Sequence, residues 1–146
     1  MNGYEKIMLS IQRLSDYAVL ILTCLATEPS RARSAASLKK EIPLPLATIR
    51  KVLRILAQHG ILRSRQGRQG GFMLTRLSAE ISLADILNAM QDPVLLTPCC
   101  RSDYICALDA NCVSRPHWGR LDQSIRALLE STSLAQMITP PEEITR

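Results

Sequence analysis

Four of the five cysteines crowd into one short stretch: Cys99, Cys100, Cys106 and Cys112. Five residues separate Cys100 from Cys106, and five more separate Cys106 from Cys112. Between them lie Asp103, Asp109 and Asn111, with no sustained apolar period, so the run reads as a polar loop. Three evenly spaced thiols on such a loop can converge on one metal centre. Reduced thiolates bind zinc or iron–sulfur clusters. Structural zinc usually takes cysteine pairs with about two to four residues between them, and no such pair occurs here. An iron–sulfur cluster tolerates wider spacing on a loop. The competing reading is a set of free or redox-active thiols. Cys24 stands apart, among Ile21, Leu22 and Leu25, and reads as a small core residue.

A second constellation is basic. Residues 1–76 carry 13 Lys/Arg against 4 Asp/Glu, a net of +9, whereas residues 77–146 carry 5 against 9, a net of −4. A basic first half suits a polyanion, and nucleic acid is the obvious one. The residues best placed to read it are Thr48, Arg50, Lys51 and Arg54, which share one face of an amphipathic segment. Arg65, Arg68 and Gln69 flank a glycine-rich tip further on. A solvated basic helix face and a charged turn are the bland alternative. An arginine can take guanine bidentately, and a threonine can meet a thymine methyl or a phosphate. The tip residues are suited to phosphates or to the minor groove.

The elements that must position these groups follow from periodicity. Leu14, Tyr17, Ala18, Ile21, Leu22 and Leu25 follow the helical rule, ended by Thr27-Glu28-Pro29-Ser30. Ser34 can cap a short helix over 35–41. After Ile42-Pro43-Leu44-Pro45, a third helix is expected over 46–59, with Ile49, Val52, Leu53 and Leu56 inward and Gly60 ending it in a left-handed conformation. Two short strand-like runs then flank Gln66-Gly67-Arg68-Gln69-Gly70-Gly71, a hairpin signal. Ser82 can cap a fourth helix over 83–91, and a fifth is expected from Pro116 to about Ser131. On the fifth, Trp118, Leu121, Ile125 and Leu128 recur at spacings of three and four, a seam for the chain's own domain or for a second copy. The expected fold is mainly α: a winged helix-turn-helix with a β-hairpin wing and a long C-terminal dimerisation helix. In such motifs the second helix of the pair enters the major groove.

The chain of 146 residues is 47% hydrophobic but only 3% aromatic, so its core is aliphatic. No apolar run reaches membrane-spanning length. With no secretory pattern at the N-terminus, a cytoplasmic protein with reduced thiols is expected. An enzyme such as a thiol oxidoreductase finds no support: there is no C-x-x-C motif, no βαβ pattern and only two histidines.

Taken together, the residues from Met8 to Met137 resemble the Rrf2 family of bacterial winged-helix transcription regulators. The resemblance rests on Leu14-Ser15-Asp16-Tyr17-Ala18, on Gly67-Arg68-Gln69-Gly70-Gly71-Phe72, on Ile81-Ser82-Leu83-Ala84-Asp85-Ile86-Leu87, and on the spaced cysteines followed by Trp118. Arg13-Leu14-Ser15-Asp16-Tyr17 and Ser133-Leu134-Ala135-Gln136-Met137 resemble most the subgroup that regulates the SUF iron–sulfur assembly operon. The resemblance implies a homodimer crossed by the fifth helices, a double-stranded DNA operator, and an iron–sulfur cluster, [2Fe-2S] or [4Fe-4S], held by three cysteines of each subunit. Cys100, Cys106 and Cys112 match that pattern, and Cys99 is a neighbour able to replace Cys100.

The fourth ligand differs among family patterns. In the IscR-like pattern a histidine stands three positions after the last cysteine; here that residue is Arg115, and His117 lies two further on. In the NsrR-like pattern an aspartate near the start of the first helix serves from the other subunit, and Asp16 stands there. Asp16 is therefore favoured and His117 is the alternative. Asp16 also has an ordinary role open to it, since a carboxylate is favourable near a helix N-terminus. The expected layout is an extension over 1–7, the winged helix-turn-helix over 8–78, a connecting helix over 79–96, the cluster loop over 97–116, the dimerisation helix over 117–138 and a tail over 139–146. The function expected is a cluster-dependent repressor of iron–sulfur assembly or related stress genes; a cluster-free thiol sensor on the same scaffold is the alternative.

Overall fold

The computed structural model describes residues 11–92, 94–108 and 111–139. The expected extension over 1–7, and all of the tail beyond Thr139, lie outside these residues. Helix α1 spans Arg13–Ala26, α2 Ala35–Leu38 and α3 Leu46–Gln58. Strands β1 (Leu62–Arg65) and β2 (Gly71–Leu74) form an antiparallel hairpin, pairing Leu62 with Leu74 and Arg65 with Gly71. Helix α4 spans Leu83–Ala89, α5 Arg115–Ser131 and α6 Leu134–Ile138. This is the mainly helical winged helix-turn-helix that the apolar periods predict.

The core is aliphatic. Ile21 and Leu22 of α1, Leu38 of α2, Ile49, Val52, Leu53 and Leu56 of α3, and Ile86 of α4 are fully buried. Each turns inward at helical spacing, so the opposite faces of α1 and α3 stay outside. Ser34 caps α2 by accepting the Ser37 amide at 3.1 Å, and Ser82 caps α4 by accepting the Asp85 amide at 3.0 Å. Gly60, at φ 74°, ends α3 in the left-handed region, as its position predicts.

The wing is pinned at its root. Arg33 and Phe72 exchange backbone hydrogen bonds, each at 2.9 Å, which joins the α1–α2 connection to β2. A Cβ on Gly71 would lie 2.3 Å from the Arg33 backbone, so only glycine permits this approach. The Arg33 side chain is almost wholly buried. It donates to the Glu41 carboxylate and to the Cys24 carbonyl.

Three boundaries differ from the sequence expectation. Helix α2 stops at Leu38 and α4 at Ala89, short of the expected ends at 41 and 91. At α4 the chain turns at Gln91, φ 56°, before Pro93 is reached. The segment 117–138 is not one continuous helix: α5 ends at Ser131, and Ser133 caps the separate α6 by accepting the Gln136 amide. The break lets the chain double back. The Leu83 amide donates to the Thr132 carbonyl and the Leu134 amide to the Ile81 carbonyl, both at 2.8 Å. Leu134 is then fully buried against the core, so the end of α5 is tied to the start of α4. The Ser-x-x-Gln capping box was the available signal.

Candidate DNA interface and cysteine loop

Helix α3 turns Arg50, Lys51 and Arg54 outward; all three are exposed, and Thr48 is half-buried. Arg50 and Arg54 share a cleft of about 450 Å³ with Gln58 of the same helix, Ser64 of β1 and Phe72 of β2. The basic face of α3 and one side of the wing therefore form a single concave surface. The wing-tip residues Arg65, Arg68 and Gln69 are exposed but fall on the other side of the hairpin. There they line a polar groove of about 670 Å³ with Arg31, Ser37 and Lys40. Sequence reasoning missed Arg31 and Lys40. Both sit in irregular or very short segments where no periodicity marks a face.

Beneath that groove, Cys24 donates to the Glu41 carboxylate at 3.5 Å. Burial, reinforced by Glu41, pushes the Cys24 thiol up, so it stays protonated. The hydrogen bond from Arg33 holds Glu41 below the usual carboxylate range. Cys24 is half-buried against the core and belongs to this pin, in keeping with its reading as a structural residue.

The cysteine loop leaves α4 through a stem held by two buried carboxylates. Asp92 accepts the Gln12 amide at 2.7 Å. It thereby caps α1, whose own N-cap residue makes no side-chain cap. Asp122 of α5 accepts the Leu96 amide at 3.3 Å and the Arg126 guanidinium at 2.6 Å. Neither was singled out from the sequence. The Asp122–Arg126 spacing is a common helix pair, but nothing in the sequence marks the contact to Leu96.

Cys99 and Cys100 form a short 3₁₀ turn with Pro98. The Thr97 hydroxyl lies 3.0 Å from the Cys99 sulfur and 3.3 Å from that of Cys100. Both thiols face a cleft of about 700 Å³ whose far wall is α5, including Arg115, Gly119, Asp122 and Arg126. Arg101 and Asp103 pair bidentately at 2.9 and 2.7 Å on the rim, and this holds the Asp103 carboxyl below its usual range. Cys106 and Cys112 are half-buried. Their neighbours Ile105, Leu108 and Val113 are exposed, Ile105 by 93%. Among the described residues, no three His, Cys, Asp or Glu side chains stand close enough together to hold a metal ion. The structure brings Cys99 and Cys100 together and leaves Cys106 and Cys112 apart from them.

Asp16 is exposed on the first turn of α1, and His117 is exposed on the first turn of α5, its Nδ1 3.0 Å from the Arg120 guanidinium. Neither lines the cleft. The seam residues Trp118, Leu121 and Leu128 are 41–64% exposed and Ile125 is half-buried, so the seam does not dock on the chain's own domain. No described helix is long and apolar enough to cross a membrane.

A helix-turn-helix with a pinned basic wing, followed by a thiol loop and a helix with an outward apolar seam, defines a winged-helix transcription regulator. The chain belongs to the Rrf2 family: that family's model, described as an iron-dependent transcriptional regulator, matches residues 11–140. A protein of Aquifex aeolicus named for helix-turn-helix transcriptional regulators is 25% identical over 129 residues, 87% of this chain and 90% of its own length. The fold is similar to that of CymR, the global cysteine regulator of Bacillus subtilis, with a TM-score of 0.74 at 23% identity, covering 90% of this chain and 97% of that one. It is also similar to IscR of T. potens, with a TM-score of 0.68 at 24% identity, covering 94% and 92%. The protein is thus a DNA-binding transcription regulator and not an enzyme.

Proposed function

We propose that the chain acts as a homodimeric repressor whose DNA affinity is set by an iron–sulfur cluster on the cysteine loop, and that it controls cluster assembly or related stress genes. The observation that carries this is the pairing of Cys99 and Cys100 on one hydroxyl, facing a cleft against α5, within a loop whose apolar side chains are exposed. The donor set fits such a cluster in kind. Thiolates are the usual ligands, and one further oxygen or nitrogen donor is chemically admissible. Cys106, Cys112 and one of Cys99 and Cys100 would hold it; Asp16 of a second copy would complete the set, with His117 as the alternative. When bound, the cluster supplies a redox- and iron-sensitive crosslink among these residues.

The rest follows from the chain's own contacts. Drawing Cys106 and Cys112 toward Cys100 pulls on the stem that Asp92 ties to α1 and Asp122 ties to α5. With Trp118, Leu121, Ile125 and Leu128 as the dimer seam, any shift at α5 changes the spacing of the two α3 helices. Successive major grooves lie about 34 Å apart, and a difference in DNA affinity between two spacings is sufficient for a switch. Thr48, Arg50, Lys51 and Arg54 read the groove, while Arg65, Arg68 and Gln69 hold the backbone.

The contact of both Cys99 and Cys100 with Thr97 also favours a second reading, a cluster-free thiol sensor. Anoxic purification followed by Mössbauer spectroscopy separates the two. The cluster reading expects iron and sulfide in the wild type and an altered spectrum in Asp16→Ala, with His117→Ala unchanged. A change confined to His117→Ala reverses the ligand assignment. Protein free of iron and sulfide even after reconstitution leaves only the thiol reading.

A further inference from the structure

Gly119 lies inside the seventeen-residue helix α5, four residues from its start. Glycine is the poorest helix former after proline, so a glycine here needs a reason. Backbone geometry does not supply one, since the glycines with positive φ are Gly60, Gly67 and Gly71. Packing within the chain does not either: a Cβ on Gly119 would meet nothing within 4 Å. What Gly119 does face is the cleft shared with Cys99 and Cys100. At 3.6 residues per turn it falls near the middle of the face formed by Arg115, Asp122, Gln123 and Arg126, roughly 140° from the centre of the Trp118–Leu128 seam.

We propose that Gly119 is a size-determining residue of the cysteine cleft: its missing side chain leaves room on the α5 wall for the iron–sulfur group that the loop cysteines hold. This rests on the cluster reading above. A bulky group anchored at Cys99 or Cys100 extends from the loop toward α5. A side chain at this position would project into the same cleft, which Asp122, Arg101 and Asp103 also line. Gly119 is therefore a specificity residue for cluster size, distinct from the ligands and from the dimer seam.

The test compares wild type with Gly119→Ala, Gly119→Leu and, on the exposed face away from the cleft, Ala127→Leu. Each full-length chain is reconstituted anoxically with ferrous iron and sulfide. Iron and sulfide per chain, helix content on heating, and the mass of the metal-free protein by sedimentation are measured. Gly119→Leu is expected to lower retained iron and sulfide on the order of ten-fold, with Gly119→Ala in between and Ala127→Leu at the wild-type level. Both Gly119 variants should melt higher than wild type without metal, and their metal-free mass should not change. Wild-type iron retention in Gly119→Leu overturns the proposal. A changed metal-free mass does so too, because the glycine would then serve a helix–helix contact. Failure of the wild type to take up iron and sulfide refutes the cluster reading and this inference together.

Discussion

The DNA-binding region and the cysteine region are built on opposite terms. From α1 to α4 the chain buries a continuous aliphatic core, caps α2 and α4 with serines and pins its wing through Arg33, Glu41 and Gly71. From Pro98 to Ser114 it buries no described residue. It exposes Tyr104, Ile105, Leu108 and Val113, and of the described loop thiols only Cys99 and Cys100 share a polar partner, the Thr97 hydroxyl. The first region can present α3 and the wing without help. The second has the composition of a surface and the chemistry of a site, and in the proposed reading a cluster gathers it. A regulator profits from that contrast, because a reading head that is already assembled can be moved by a loop that is not.

The contrast is sharpest in stability. Truncating Leu53 or Leu134 to Ala should remove about 2–5 kcal/mol, because each leaves a hole in a fully packed core. Ile105→Ala, of similar chemistry but on the loop, should change the metal-free protein by no more than about 0.5 kcal/mol. Urea unfolding measures both. A comparable loss at Ile105 would mean that the loop is packed before any ligand arrives.

A second comparison lies within the DNA-binding region. Arg54→Ala should cost about 1–3 kcal/mol on a selected site and relax its sequence preference. Lys40→Ala should weaken all sequences alike and reduce the salt slope of binding by about 1. Fluorescence anisotropy on selected and scrambled duplexes at several salt concentrations distinguishes them. Equal behaviour of the two variants would erase the division between the α3 cleft and the groove behind the wing.

The smallest effect concerns the wing pin. Glu41 ionises more readily in the fold than in the unfolded chain, because Arg33 donates to it. Its contribution to stability is therefore present above the ordinary carboxylate pKa and is lost as pH falls through the depressed folded value. Glu41→Gln should flatten the acid limb of the unfolding profile slightly and leave neutral-pH stability of the loop unaffected. An unchanged acid limb would remove Glu41 from the pin.

Much of this organisation was legible in the residues themselves. The spacings of Ile49, Val52, Leu53 and Leu56 locate α3, and Ser34, Ser82 and Gly60 mark boundaries that the structure keeps. Caps and apolar periods are local, so a sequence carries them openly. Asp92, Asp122 and the Arg33–Phe72 bridge were not legible, because each joins segments tens of residues apart. The thiols were legible as a set, but the contact of both Cys99 and Cys100 with one hydroxyl depends on where Thr97 places it. The end of the fifth helix near Ser131 was legible, but the separate helix α6 after it was not, although the Ser133–Gln136 box marks its start.

The central claim is that a cluster completes the loop region and leaves the DNA-reading core as it was. Hydrogen–deuterium exchange, on anoxically reconstituted protein and on the same protein after chelation, tests this most directly. The account predicts strong slowing of exchange across 97–114 with the cluster present, weaker slowing at the starts of α1 and α5, and no change in the buried amides of α3. Equal exchange of the loop in the two samples, or protection that appears first in α3, would contradict it.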